Sequence, residues 1–436
     1  MAPAFAAPLS VSTLLGYGLP GLPLAMLGIP LYVYLPSFYG ETLGLGLGAV
    51  GMALMLARLW DMVSDPLVGL LADRLPLRRR RRVLMLLGAP VLLLSMHMLL
   101  QPPMGAGLVY LYTFGFLAYL GWTLVMVPYT AWGAEIVEDA HGRTRLAASR
   151  EGFGLLGIVL AASLPVLLDT DTPAAVLAGV DQLLWVLLPI ALGLALWRAP
   201  EVPAPRVTQV TRAAQGAWPG LPRRQTELQH LLAAYFINGL ANGLPAALFI
   251  LFVTHRLQAP EAVGPLLLVY FAAGVLALPG WILLARRYGR ARVWAVSLLW
   301  ASLAFLAVPF LHAGDVLAFG LICLLSGLAL GADLALPASL QAEIARRVSL
   351  DEGAHRSGLL FGLLGLVAKL ALALAVGLGF GALELGGFDG AAGQGLVLLA
   401  LLYGLLPVAL KLAALPLVLG LDALDRPFPS PSSEIR

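Results

Sequence analysis

Apolar segments long enough to cross a bilayer recur along the whole 436-residue chain. A transmembrane helix needs about 20 predominantly apolar residues, and apolar windows bounded by charged or turn residues predict twelve spans. In the first half they are 10–36, 44–73, 83–101, 106–135, 151–170 and 180–198. In the second half they are 229–254, 262–285, 293–312, 316–345, 358–381 and 394–419. The sequence therefore predicts an all-α polytopic membrane protein.

The charge content supports this fold class. Only 12% of the residues are charged, whereas soluble proteins average about 25%. Nearly all basic residues are arginines, since Lys369 and Lys411 are the only lysines. Arginines beside predicted spans are better explained by membrane topology and genome composition than by phosphate or nucleic-acid contact, so no nucleic-acid partner is expected. Cys323 is the single cysteine, which excludes an intrachain disulfide.

Most of the arginines fall in alternate loops. They are Arg74, Arg78 to Arg82, Arg143, Arg145, Arg150, Arg206, Arg212, Arg223, Arg224, Arg286, Arg287, Arg290, Arg292, Arg346, Arg347 and Arg356. The opposite loops carry one arginine, Arg256, and the acids Asp169, Asp171, Asp181, Asp315, Glu384 and Asp389. Because arginine-rich loops stay in the cytoplasm, this pattern predicts both termini there. The expected location is the plasma membrane, which is the inner membrane in a bacterium.

Two short sequences repeat at one offset. A shift of 208 residues aligns Ala134-Glu135-Ile136 with Ala342-Glu343-Ile344, and "FGLLG" at 153–157 with "FGLLG" at 361–365. A parallel repeat of two six-span halves follows. The predicted organisation is an N-terminal six-helix bundle over 1–198, a cytoplasmic linker over 199–228, a C-terminal bundle over 229–420 and a cytoplasmic tail over 421–436. We expect no extra domain and a monomer.

Three charged side chains interrupt the second span. Arg58, Asp61 and Asp65 follow at intervals of three and four residues, so they share one helix face. A charge near the bilayer centre costs roughly 2.5–3.5 kcal/mol on insertion scales. Helix association explains one Arg–Asp pair, but the second carboxylate exceeds what one arginine neutralises. An oxygen-rich site without Cys or His suits Na⁺ or H⁺, so the pattern favours cation coupling over structural pairing.

Other polar residues inside the spans have two possible roles. Lys369 lies too deep to reach the surface and is predicted to be neutral or paired with Asp61 and Asp65. Lys411, closer to the end of its span, is expected to extend to the interface, and Asp333 has no partner identifiable from sequence. The remaining candidates serve either helix packing or substrate contact; they are Trp122, Tyr129, Trp132, Asn238 and Asn242.

Several of these stretches resemble one transporter family. "RLWDMVSDPLVGLLADR" from Arg58 is similar to the second-helix signature of the glycoside–pentoside–hexuronide:cation symporters, a branch of the major facilitator superfamily. "VPYTAWGAEIVEDAHGRTRLAASR", which contains Pro128 and Arg150, resembles the branch's helix 4–5 segment. "GAHRSGLLFGLLGLVAKLALAL" resembles its helix 10–11 segment and places Lys369 at the family's lysine. The resemblance runs over nearly the whole chain.

The resemblance implies a major facilitator fold of two six-helix bundles and alternating access. It also implies uptake of a small-molecule solute coupled to Na⁺, Li⁺ or H⁺, without another cofactor. By position it makes Asp61 and Asp65 the cation-binding aspartates and Thr123 a neighbouring ligand. Ser64 stands beside them where the family often has asparagine, and Arg58 is their stabilising partner.

The predicted mechanism needs a gate on the cytoplasmic side. Ionic locks between the arginine-rich loops and nearby acids close it, and several pairs are required because surface ion pairs are individually weak. The predicted gate residues are Asp73, Arg74, Glu135, Asp139, Arg143, Arg150, Glu343 and Arg356.

The nature of the solute stays open between two classes. Sugar-transporting members of the family carry one acid in helix 1 and one in helix 4. Here span 1 as bounded contains no acid, and Met126 occupies the helix 4 position. A glycoside or other sugar is the leading expectation, and a lysolipid or other amphiphile is the alternative. A non-transporting scaffold or receptor is a third hypothesis, against which the buried charges argue. No enzyme motif is present.

Overall fold

The computed structural model describes residues 10–74, 80–136, 140–170, 172–198, 226–352, 357–390 and 393–425. Within these ranges the chain is helical apart from turns and one isolated bridge between Asp389 and Gln394. The described residues contain twelve helices that are long and apolar enough to cross a membrane. The predicted all-α, twelve-span fold class is confirmed.

Five of the first six spans are single helices, and the first span is segmented. It is a run of α-helical segments and two π-helical turns, Pro30–Tyr34 and Phe38–Thr42. The spans are α1 (Val11–Thr42), α2 (Leu47–Arg74), α3 (Arg80–Leu100), α4 (Leu108–Ile136), α5 (Ala140–Leu167) and α6 (Pro173–Arg198).

The last six spans follow from Thr226. They are α7 (Thr226–Leu251, extended by a π turn Phe252–Arg256), α8 (Val263–Tyr288), α9 (Arg290–Phe305), α10 (Val316–Glu352), α11 (Ser357–Leu385) and α12 (Leu396–Leu419). Short 3₁₀ turns lie at Pro260–Ala262, Val308–Phe310 and Asp422–Asp425.

The start of α5, at Ala140, differs most from the sequence prediction, and two other span limits differ at prolines and a buried acid. Pro36 suggests an end to the first span, yet π turns absorb the prolines and carry α1 on to Thr42. Asp181 suggests a late start to the sixth span, yet α6 begins at Pro173. Asp181 is buried, accepts a hydrogen bond from the Gln101 amide and lies 2.9 Å from His97 Nδ1. Its assignment to a loop was therefore wrong, because His97 on α3 and Gln101 just after α3 pair with one of its carboxylate oxygens inside the protein.

The contacts group the described residues into two units. The first contains α1 to α6 with residues 246–268 and 376–396 of the second half. Within it α3 and α4 pack closely through glycines: a Cβ at Gly121 would lie 2.5 Å from the Leu92 backbone nitrogen. Such small residues let membrane helices approach each other.

The second unit contains the remaining parts of α7 to α12. Its core includes fully buried Trp294 on α9, Leu340 on α10 and Leu231 on α7. The division of the chain at a 199–228 linker stays a prediction, because 199–225 lies outside the described residues. Helix α7 already begins at Thr226, within the predicted linker.

Candidate functional site

Four polar side chains of α2 and α4 meet in the first unit. The Thr123 hydroxyl oxygen on α4 lies 3.1 Å from Asp61 Oδ1 and 3.0 Å from Asp65 Oδ1, both on α2. It lies 3.2 Å from the hydroxyl of Ser64, which donates to the Asp61 carbonyl oxygen at 3.1 Å. Asp61, Ser64 and Thr123 are buried. We call Asp61, Ser64, Asp65 and Thr123 the carboxylate cluster.

The carboxylate cluster contains more short oxygen contacts than hydroxyl hydrogens. The two hydroxyl groups carry one hydrogen each, whereas four oxygen–oxygen contacts of hydrogen-bond length involve them. With both carboxylates ionised, some of these oxygens face each other without a hydrogen between them. A proton on a carboxylate, or a metal cation among the oxygens, would supply the positive charge this geometry accommodates.

Arg58 lies on the same face of α2, one turn before Asp61. Its Nη1 donates to Asp61 Oδ2 at 3.4 Å. The guanidinium carbon lies 5.0 Å from the Tyr32 ring centroid on α1 and 5.2 Å from that of Tyr119 on α4. Aromatic faces stabilise a cation at such distances. Arg58 is therefore held as a fixed positive charge at one edge of the carboxylate cluster.

Lys369 lies on α11 in the part of that helix that belongs to the second unit, and it is half-buried. Its predicted pairing with Asp61 and Asp65, which belong to the first unit, stays a prediction.

The aromatic residues of α4 divide into two groups. Tyr129 and Trp132 are buried and pack against Tyr17 of α1, with ring centroids at 4.9 and 6.2 Å. The Tyr129 hydroxyl donates to the Tyr17 carbonyl oxygen, and the Tyr17 hydroxyl donates back to the Tyr129 carbonyl at 3.3 Å. These contacts are those of helix packing. Trp122, beside Thr123, is half-buried.

A second buried charged group occupies the second unit. Lys411 Nζ on α12 donates to Asn238 Oδ1 at 2.8 Å and to Asn242 Oδ1 at 2.6 Å, both on α7. It also lies 3.7 Å from Asp333 Oδ2 on α10. Asn242 Nδ2 and the Trp294 indole nitrogen donate to the two Asp333 oxygens at 2.9 and 2.8 Å. We call these five residues the lysine cluster.

The lysine cluster corrects one expectation and answers another. Lys411 is only 5% exposed, so the prediction that it extends to the interface was wrong; polar partners on α7 and α10 hold it inside. Asp333 does have a partner, which sequence could not identify because Lys411 is far along the chain. Asn238 and Asn242, predicted to serve either helix packing or substrate contact, both bind this lysine.

The predicted gate residues are only partly described. Arg150 donates to the neighbouring Glu151 at 2.6 Å, and Glu343 accepts from Arg347 at 3.1 Å within α10. Asp139 and Arg356 lie outside the described residues, as do the side chains of Asp73, Arg74, Glu135 and Arg143. The ionic locks stay a prediction.

An acid at the end of α1 escaped the sequence analysis because the span was ended too early. Glu41 accepts hydrogen bonds from Ser37 at 3.1 Å and lies 2.6 Å from His255 Nε2, at the end of α7. All three belong to the first unit. Among the described residues, no group of three or more His, Cys, Asp and Glu side chains could hold a metal ion.

The described residues form twelve apolar helices with charged clusters inside them, an arrangement typical of polytopic membrane proteins of the transporter class. Residues 16–421 match the family described as MFS/sugar transport protein, where MFS stands for major facilitator superfamily. The chain belongs to this family. It is therefore a membrane transporter and not an enzyme.

Individual relatives match over parts of their length. The inner membrane symporter YicJ of Escherichia coli is 28% identical over 62% of this chain and 59% of its own. The uncharacterized symporter sll1374 of Synechocystis is 31% identical over 38% of this chain and 32% of its own. The glucuronide carrier protein homolog of Escherichia coli is 30% identical over 27% of each chain. The matched regions thus span less than two thirds of these relatives.

Solved structures of the nucleoside transporter NupG share the fold. A mutant form superposes with a TM-score of 0.70 at 14% identity, covering 93% of this chain and 99% of the other. The same transporter without that mutation gives 0.66 at 14% identity, covering 96% and 100%.

Proposed function

We propose that this transporter is a cation-coupled symporter of a small solute, working by alternating access. Na⁺ or H⁺ binds in the carboxylate cluster, with Asp61 and Asp65 as charged ligands and Thr123 and Ser64 as neutral ones. Arg58 is the fixed charge beside them, and Lys369 takes part in coupling. No other cofactor is needed.

The convergence of oxygens on Thr123 carries this proposal. Two carboxylate oxygens and one hydroxyl oxygen lie 3.0–3.2 Å from a single hydroxyl that has one hydrogen to give. Binding a cation there lowers the repulsion between the two carboxylates. That energy is available to stabilise the conformation that accepts the solute, since a ligand shifts an equilibrium by its differential affinity for the two states.

A glycoside or other sugar is the solute we propose. The family description names sugar transport, and one relative is named a glucuronide carrier homolog. Solute would bind near the membrane midplane, and Trp122 is the candidate for stacking on a sugar ring because it adjoins Thr123. A lysolipid carrier is the alternative within the same fold.

The test is uptake into proteoliposomes with a panel of radiolabelled glycosides, glucuronides and one lysophosphatidylcholine. Each solute is offered with an inward Na⁺ gradient, an inward H⁺ gradient, or neither. We expect accumulation of a glycoside that requires one of the two gradients. Accumulation of the lysolipid alone would assign the alternative substrate class, and gradient-independent equilibration would contradict coupling.

Asp61→Asn and Asp65→Asn test the site itself. Both variants should lose gradient-driven accumulation because each removes a charged ligand. Asp315→Asn, on an exposed loop residue, is the control and should accumulate solute like the wild type. Full coupled uptake by both cluster variants would exclude the carboxylate cluster as the cation site.

We also propose that both termini face the cytoplasm, on the basis of the loop arginines. In a Cys323→Ala background, single cysteines are placed at exposed Ser12 and at fully exposed Met104. An impermeant thiol reagent added to whole cells should label Met104→Cys and spare Ser12→Cys. The reverse labelling would invert the proposed topology.

A further inference from the structure

A cavity of about 760 Å³ opens in the second unit where α8 turns into α9. Its walls are the end of α8, the start of α9, one stretch of α10 and the segment that follows α12. It does not include any residue of the carboxylate or lysine cluster, so it needs an explanation of its own.

Four of the lining residues are arginines: Arg286, Arg287, Arg290 and Arg292. Among the lining residues that the structure describes, Asp422 is the one acid, and it accepts from Arg292 at 2.8 Å. Within the described part of the chain, no carboxylate lies within ion-pair distance of Arg286 or Arg287. Arg290 donates to the main-chain carbonyls of Ser339 and Leu424 at 3.1 and 3.3 Å. Arg286 and Arg287 therefore give the described part of the lining a surplus of positive charge.

The turn between α8 and α9 adds to the positive potential in the cavity. Gly289 has a φ of +91°, a conformation that glycine adopts readily and that brings the end of α8 and the first turn of α9 into one cavity. Helix α9 starts without a side-chain cap and without an acid in its first turn. The positive end of its dipole thus faces the same space as the guanidinium groups.

One side of the cavity is apolar. Ile282 lies one helical turn before Arg286 on α8 and is 37% exposed. Its neighbour Leu283 is 63% exposed, as expected of a helix surface in contact with lipid. Ala335 and Leu336 of α10 complete the apolar wall. A ligand in the cavity would therefore meet arginines at one end and a hydrocarbon-facing surface at the other.

We propose that this cavity binds the phosphate headgroup of an anionic phospholipid of the surrounding leaflet. One guanidinium group can donate two parallel hydrogen bonds to two oxygens of a phosphate. Basic pockets between membrane helices on the cytoplasmic side bind anionic headgroups. The acyl chains lie along Ile282. A soluble phosphate shares the headgroup chemistry but leaves the apolar wall unused. The proposal is independent of the transported solute.

The experiment is native mass spectrometry of the delipidated full-length protein with added lipid. Phosphatidylglycerol and phosphatidylcholine with identical acyl chains are compared in the wild type, in Arg286→Gln/Arg287→Gln and in Arg145→Gln/Arg198→Gln. The last variant loses the same charge elsewhere. We expect phosphatidylglycerol to bind the wild type more tightly than phosphatidylcholine, and the first variant to bind it about 30-fold more weakly. The charge-matched control should stay within about twofold of the wild type.

Two further arms separate a lipid from a soluble anion. Inorganic phosphate and glycerol phosphate, at concentrations equal to the lipid, should not displace phosphatidylglycerol. Ile282→Asn should weaken phosphatidylglycerol binding with all arginines present, and it carries the test if the double arginine variant does not fold. Equal binding of the two lipids by the wild type, equal losses in both arginine variants, or displacement by soluble phosphate would each overturn the proposal.

Discussion

The carboxylate cluster and the lysine cluster are both buried and both contain an acid paired with a base, yet their hydrogen bonding differs. In the lysine cluster each hydrogen bond has its own donor hydrogen: two from Lys411, one from Asn242 and one from Trp294. In the carboxylate cluster the Thr123 hydroxyl, with one hydrogen, faces three oxygens. The first arrangement is complete as it stands, whereas the second accommodates another positive charge.

This difference distinguishes two roles of buried charge in a membrane protein, helix association and ion binding. A charge that is fully paired and hydrogen-bonded joins helices, here α7, α9, α10 and α12 of the second unit. Acids whose oxygens converge on one shared hydroxyl are the better candidates for binding a transported ion. Breaking the lysine cluster should therefore change stability, and breaking the carboxylate cluster should change cation binding.

The largest expected effect comes from Lys411→Met. It leaves the Asp333 carboxylate buried without its cation, which destabilises a protein by about 3–5 kcal/mol. The measurement is thermal unfolding of the purified protein in detergent. Lys411→Met/Asp333→Asn should recover most of the loss because no unpaired charge remains, and Arg198→Met, at an exposed arginine, should unfold close to the wild type. An unchanged unfolding temperature for Lys411→Met would remove the distinction between the clusters.

Sequence predicted the carboxylate cluster better than the lysine cluster for a physical reason. Arg58, Asp61 and Asp65 lie on one turn-spaced stretch of α2, so helix periodicity groups them, and the family resemblance added Ser64 and Thr123. Lys411 and Asp333 come together only through the packing of α7, α10 and α12, which no local pattern encodes. Lys411 was assigned to the membrane interface because it lies near the end of its span, and that assignment was wrong.

The limits of the spans show the same division. Apolar length predicted all twelve helices, since a bilayer requires it. The end of α1 was missed because the span was ended at Pro36, which left Glu41 outside it, and the start of α6 was missed because Asp181 was treated as a loop residue. Both acids in fact have partners distant in sequence, His255 and His97. Long-range pairing decides where a charged residue can enter a helix.

The next effect is the cation-dependent stabilisation of the folded protein. A ligand at 100 times its Kd stabilises the state that binds it by about 2.7 kcal/mol. We expect the unfolding temperature to rise with Na⁺ at constant ionic strength, or with acidification if H⁺ is the coupling ion. Asp65→Asn should abolish the rise, and Asp333→Asn should keep it. A rise that survives in Asp65→Asn but disappears in Asp333→Asn would exchange the roles of the two clusters.

A smaller effect is expected from Thr123→Ala. The hydroxyl is one ligand among several, and a hydrogen bond to a charged group contributes about 1.5–3 kcal/mol. The half-saturating cation concentration in uptake should rise about tenfold or more, and Thr123→Ser should restore it. Thr113→Ala on the same helix is the control, because that exposed hydroxyl donates only to the Val109 carbonyl. Equal shifts in the two alanine variants would make the effect one of α4 and not of the cluster.

The smallest expected effect is that of Ser64→Ala. Its hydroxyl already donates to the Asp61 carbonyl, so it contributes an oxygen to the cluster without removing repulsion between the carboxylates. Hydrogen bonds of this kind in membrane proteins average about 0.6 kcal/mol, which corresponds to roughly a threefold rise in the half-saturating cation concentration. Ser163→Ala on α5 removes a matched hydroxyl, bonded to the Leu160 carbonyl three residues back, and should leave cation affinity unchanged. A larger loss of cation affinity in Ser64→Ala than in Thr123→Ala would make Ser64 on α2, and not Thr123 on α4, the central hydroxyl ligand.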